Sequence, residues 1–239
     1  MKKLYDKKEI LFAVLFIVVY CVATIPIRGN LGDESPWMLV ALAAVAALAT
    51  GFVKANRLEG KYGMKGWAKD SRRMWWFIPM WVLTTGNLWG GLGVRYSGMA
   101  QVCAVLSMLL VGYVEELLFR GFLFRALLKK DGPTLAIIIS AVTFGMGHIV
   151  NMLAGQASLE TLLQVCFAVA WGFIFMYAYY KGGSLWPCVI VHGLVDAASM
   201  FRSSADSTAS DMAYIIATIV VAIVYCGYLS RQKTALEEA

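Results

Sequence analysis

Apolar residues run through this chain in long blocks separated by short polar turns, without the strict alternation that marks a half-buried strand. Crossing a hydrocarbon core of about 30 Å takes roughly 20 helical residues. Eight blocks come near that length: Ile10–Ile27, Trp37–Val53, Trp75–Leu92, Met99–Leu128, Thr134–Leu153, Leu159–Tyr180, Leu185–Met200 and Met212–Leu229. The pattern predicts an all-α, polytopic integral membrane protein with about eight transmembrane helices in a single membrane domain. Residues 1–98 hold three helices and a basic loop, residues 99–200 a four-helix core, and residues 201–239 the last helix and a tail. No loop is long enough for a second domain, and no internal repeat or low-complexity tract is visible.

Composition agrees, with 60% apolar and only 15% charged residues, far from the quarter charged of a typical soluble domain. A net charge of +6 raises the question of nucleic acid, and the placement of the basic residues answers it. With the N-terminus inside, the segments on the cytoplasmic side collect 17 of the 21 basic residues, while Arg28, Arg95 and Arg202 fall on the other side. That is the positive-inside pattern, and it predicts an N-in, C-in topology in a lipid bilayer and no nucleic-acid partner. The first block has the charged start and apolar middle of a signal peptide but no A-x-A-like cleavage site, so it is expected to be a retained helix. Cys21, Cys103, Cys166, Cys188 and Cys226 all fall in predicted spans without C-x-x-C spacing and read as apolar fillers. Trp75, Trp76, Tyr179, Tyr180 and Trp186 sit at predicted span ends, where aromatic anchors are expected. The stretch Lys54–Arg73 reads either as an interfacial segment attracted to anionic lipid or as a solvated loop.

Charge inside the spans is confined to few places. Glu115, Glu116, Arg120 and Asp196 are joined there by both histidines of the protein, His148 and His192. An ionisable side chain at the bilayer centre costs about 2.5 to 3.5 kcal/mol on insertion scales, so these groups must meet one another or water. Measured from the cytoplasmic ends at about 1.5 Å per residue, Glu115 lies about 21 Å deep, His148 about 22 Å, and His192 and Asp196 about 12 and 18 Å. Three helices thus carry polar groups in one layer. Glu116 and Arg120 are i,i+4 with the acid first, the favourable orientation for an intrahelical pair. Glu115 is turned by about 100° from Glu116 in an α-helix, free to face a cavity in which a desolvated carboxylate suits acid-base chemistry. His192 and Asp196 share a face at i,i+4, and Gly145, Gly147 and Gly193 allow neighbouring helices to come close. Each of these residues taken singly also fits ordinary helix packing; as a set on three spans they mark a functional site.

In order along the chain stand "EELLFR", "FGMGH" and "HGLVD". Together these resemble the motifs of the CPBP family, the CAAX-processing and bacteriocin-processing (Abi) intramembrane proteases that include the type II CAAX prenyl endopeptidases. The resemblance spans about Met99 to Met200 and implies an intramembrane endopeptidase acting on a membrane-associated peptide or protein. It implies that Glu115 and His148 activate water, that Glu116 and Arg120 support them, and that His192 and Asp196 form the oxyanion side. Prenyl endopeptidases of the family resemble H-x-x-x-N where this chain has Asp196, so Asp196 is expected either to be protonated or to orient His192.

Water activated by Glu and His needs only groups that are present, and no serine has an obvious histidine partner, so a metal-independent glutamate protease is the favoured chemistry. The alternative is zinc held by Glu115, His148 and His192; H-E-x-x-H is absent, and the ligands would come from separate helices. A rival of another class is a non-catalytic membrane scaffold or an ion path. Transport is disfavoured by the lack of repeats between the halves. The short loops and the basic "MKK" start suggest a bacterial plasma membrane.

Overall fold

A computed structural model describes residues 1–154, 157–203 and 208–236. Its helices are α1 (Lys2–Lys7), α2 (Glu9–Leu31), α3 (Pro36–Ala55), α4 (Ile78–Leu83), α5 (Gly98–Glu116), α6 (Arg125–Gly147), α7 (Ser158–Gly182), α8 (Trp186–Ser199) and α9 (Thr208–Ser230). Local chemistry sets their ends. Ser35 accepts from the backbone N–H of Trp37 and Pro36 opens α3, a polar cap followed by a residue with no N–H to orphan. At the other end of α2, Gly32 at φ +82° stops the helix.

Among the described residues, five helical stretches are long and apolar enough to cross a membrane: Glu9–Leu31, Pro36–Ala55, Gly98–Met152, Thr161–Gly182 and Thr208–Ser230. Large apolar side chains such as Val22 and Ile223 stay exposed on them, as a lipid-facing surface requires. The Gly98–Met152 stretch is a hairpin and not one rod. Gly132 at φ +76° breaks α6 just before Pro133, and residues after the break return beside those before it. Ser140 Oγ donates to Phe119 O at 3.0 Å, and Phe119 meets Phe144 edge to face.

Two expected spans look different in the structure. Between Trp75 and Leu92 the only α-helix is the six-residue α4. Trp75, Trp76 and Phe77 all have positive φ, Pro79 sits in the first turn of α4, and Gly86, Gly90, Gly91 and Gly93 follow. The block is apolar, but its backbone is not that of one continuous helix. The seventh block forms α8 with 14 residues, about 21 Å of helix, short of the hydrocarbon thickness. Two of the expected aromatic anchors also differ, since Tyr179 and Tyr180 are buried against Phe124. Trp75 and Trp76 are exposed. The cysteines are free, with Cys103, Cys188 and Cys226 buried and Cys166 exposed.

Small residues set the helix spacing around the core. A methyl group on Gly112 of α5 would lie 2.4 Å from the backbone N of Gly193 in α8, and one on Gly145 of α6 would lie 2.8 Å from the backbone N of Val169 in α7. These backbones pack at a distance that only glycine permits. Gly147 is less confined, its nearest neighbour being Phe119 Cζ at 4.0 Å.

Candidate active site

Glu115 and Glu116 close α5, after which the chain widens into a π-helical segment, Leu117–Phe124. Segments with i→i+5 bonding are rare and collect at functional sites. This one carries Arg120, which is 0% exposed. Its guanidinium lies 4.1 Å from the ring centroid of Phe144 and 5.1 Å from that of Phe175, and Nη1 is 3.0 Å from Glu116 Oε1. None of its nitrogens makes a well-aligned hydrogen bond, so ion pairing and the two ring faces hold this charge. The i,i+4 pair read from the sequence is present, on a backbone wound more widely than an α-helix.

Glu116 does more than neutralise Arg120. The same Oε1 lies 2.8 Å from His192 Nδ1; a carboxylate can only accept, so Nδ1 donates. The other nitrogen, Nε2, is 3.3 Å from Asp196 Oδ2 and 3.8 Å from Glu115 Oε2. The imidazole stacks on Phe175 at 24° between planes and meets Phe144 edge on. Its orientation is therefore fixed on two faces and at both nitrogens. The sequence leaves Asp196 either protonated or orienting His192, and pairs Glu116 with Arg120. In the structure Glu116 touches both, and Asp196 flanks the second nitrogen.

Glu115 is 12% exposed at its side chain. Its Oε1 accepts from the Tyr20 hydroxyl at 2.6 Å, and its Oε2 is the atom facing His192 Nε2. His148 opens a 3-10 turn, His148–Ala154, with Nδ1 3.2 Å from Phe144 O. A carbonyl also only accepts, so Nδ1 carries a proton, and the tautomer protonated there alone offers Nε2 as the acceptor. Phe144 packs edge to face against His148 as well as His192, which places the two imidazoles on one aromatic hub. No hydrogen bond or ion pair joins Glu115 directly to His148. Asp196 is 27% exposed and His148 half-buried, whereas Glu116 is sealed, so the polar layer has an accessible side and a closed floor.

Tyr20, Arg28, Asn151 and Gln164 were not singled out from the sequence. Arg28 Nη1 approaches Asn151 Oδ1 at 3.4 Å while Nε donates to Asp33 at 2.8 Å, and Asn151 Nδ2 donates to Gln164 Oε1 at 2.9 Å. Their signal was weak: one hydroxyl in an apolar run, and an arginine at a helix end that topology alone explains.

The zinc alternative would draw on Glu115, His148 and His192. His192 presents both nitrogens to carboxylates, Glu115 Oε1 is engaged by Tyr20, and among the described residues no three His, Cys, Asp or Glu side chains gather at metal-ligand spacing.

Residues 98–198 match the model of a family described as "Rce1-like: Type II CAAX prenyl endopeptidase Rce1-like". Neither the curated proteins nor the solved structures yield a significant match. The matched stretch runs from the start of α5 to the end of α8 and contains Glu115, Glu116, Arg120, His148, His192 and Asp196.

Proposed function

Residues 98–198 belong to the CAAX-protease family, and from that premise we propose that this multi-pass membrane protein cleaves a peptide bond in a membrane-associated substrate with water activated by Glu115 and His148. The observation that carries this reading is the grouping of Glu115, His192 and Asp196 over the buried Glu116–Arg120 pair. In the proposed reaction the substrate carbonyl enters from the accessible side. Glu115 Oε2 takes a proton from a water steadied by His148 Nε2, and the oxygen attacks the carbonyl carbon. His192, with carboxylates accepting from both nitrogens, acts as a doubly protonated donor. Its Nε2–H turns from Asp196 Oδ2 to the developing oxyanion, where a preorganised donor contributes most. Glu115 then returns the proton to the departing amine, which closes the cycle without a metal.

Lipid-anchored C-terminal tails of the CAAX kind are the substrate class that family membership favours. Bacteriocins or peptide signals at a bacterial plasma membrane are the other class within the same chemistry. The test is cleavage of a lipid-anchored and apolar peptide library by the purified protein. Glu115→Ala and His148→Ala should each lower cleavage by at least about a hundredfold, the scale of a lost general base, while exhaustive zinc chelation should leave the wild type active. Cleavage that persists in both variants would overturn the mechanism. Activity abolished by chelation and restored by zinc would favour the metalloprotease, and no cleavage of any peptide would favour a non-catalytic scaffold.

A further inference from the structure

The shortest contact to Glu115 comes from outside the family-matched stretch. Tyr20 belongs to α2, is 7% exposed, and places its hydroxyl 2.6 Å from Glu115 Oε1. That distance is typical of a charge-assisted O–H···O bond. The rest of α2 is built to hold the tyrosine there. Thr24 is buried one turn on and donates to Tyr20 O at 2.8 Å, and Arg28, another turn on, reaches Asn151 in the turn that begins at His148. Tyr20, Thr24 and Arg28 follow at i, i+4 and i+8, so one face of α2 lies against both segments proposed to activate water.

A carboxylate has two equivalent oxygens, and a general base works only if one of them is kept free and aimed. Rotation of the Glu115 carboxylate is otherwise broad, because a terminal sp³–sp² torsion has no sharp staggered wells. The Tyr20 bond breaks that equivalence. It occupies Oε1 and leaves Oε2 as the oxygen across the 3.8 Å gap from His192 Nε2. We infer that Tyr20 is a positioning residue for the general base, and that the active site is completed by α2, a helix that the family-matched segment does not include. This inference rests on the proposed role of Glu115.

Two measurements test it, one of them independent of catalysis. In a double-mutant cycle on thermal unfolding of the purified protein, Tyr20→Phe and Glu115→Leu should be non-additive, because each removes the same bond. In the peptidase assay Tyr20→Phe keeps the ring and removes only the hydroxyl. It should lower kcat by about ten- to a hundredfold, the worth of a hydrogen bond to a charged group, with KM within about twofold of wild type, as expected when ground-state binding is untouched. Val22→Ala on the lipid-facing side of the same helix should leave both constants as they are.

Additive effects in the cycle would overturn the clamp whether or not the protein is a protease. Coupling with an unchanged kcat would overturn positioning and leave a structural bond. Coupling in a protein that cleaves no peptide would overturn the positioning role together with the proposed function, while the contact itself stood. A rise in KM at constant kcat would also count against the inference, since that assigns Tyr20 to substrate binding.

Discussion

Arg120 is a full charge with no exposure, and its surroundings say what its loss would do. Removing it by Arg120→Leu strands Glu116, whose remaining partner is His192. Breaking a buried pair from one side costs about 3 to 5 kcal/mol, so this variant should show a much lower thermal midpoint in detergent. Arg120→Lys should not restore it, because an ammonium has no planar face to set against the Phe144 and Phe175 rings, whose centroids lie 4.1 and 5.1 Å from the guanidinium carbon. Asp196→Asn is a milder change. If Asp196 serves as an acceptor beside Nε2 that gives way to the oxyanion, the amide should keep peptidase activity within about tenfold of wild type, far above the effect of losing a base. The Glu116–Arg120 pair was legible in the sequence because it lies within one helix and spacing alone places it. Tyr20 was not, because a lone tyrosine in a span can satisfy its hydroxyl in many ways, and only the packing of α2 on the π segment that follows Glu116 selects Glu115.

At the scale of elements, the approach of α5 to α8 brings Glu115 and Glu116 to His192. Gly112→Ala would place a methyl 2.4 Å from the Gly193 backbone N, and backbone cannot swing aside as a flexible side chain does. Overpacking of this kind costs about 1 to 3 kcal/mol; the expected outcome is a lower thermal midpoint with a loss of peptidase activity. Gly51, near the C-terminal end of α3, has nothing within 4 Å of an added Cβ. Gly51→Ala should therefore be neutral or stabilising by about 0.5 to 1 kcal/mol, and an equal loss in both variants would sink the close-packing argument. Hydropathy found the long helices well and misread the block after Trp75. A window of apolar residues records transfer preference, whereas Pro79 and the following glycines control whether the backbone can stay helical.

Across the whole molecule, the segments that charge placement assigned to one side converge at one end. Lys61 bonds Tyr5 and Glu9, Lys129 pairs with Glu9, Leu185 N donates to Gly63 O, and Lys181 donates to Gln232 O. Arg28, Arg95 and Arg202 lie with the opposite loops, where Arg28 pairs with Asp33 and Arg95 N donates to Met200 O. The basic excess predicts which end faces the cytoplasm, and the prediction is open to direct measurement. In a variant lacking the native cysteines, an impermeant thiol reagent should label Ser97→Cys on intact cells and Lys65→Cys only after lysis; the reverse pattern would invert the topology. Spanning both ends is the hairpin whose first limb passes through the π segment, and that winding has a consequence for variation of the sequence. A widened turn is in effect an α-helix carrying surplus chain. Adding one more residue between Glu116 and Arg125, where the winding is already wide, would swing the stretches before and after it by about 100° relative to each other, parting Glu115 and Glu116 from partners set by the far limb. Leu118 and Leu123, both buried there, can be exchanged for methionine at less than about 1.5 kcal/mol. This part of the chain therefore tolerates a change of spelling but not an added residue.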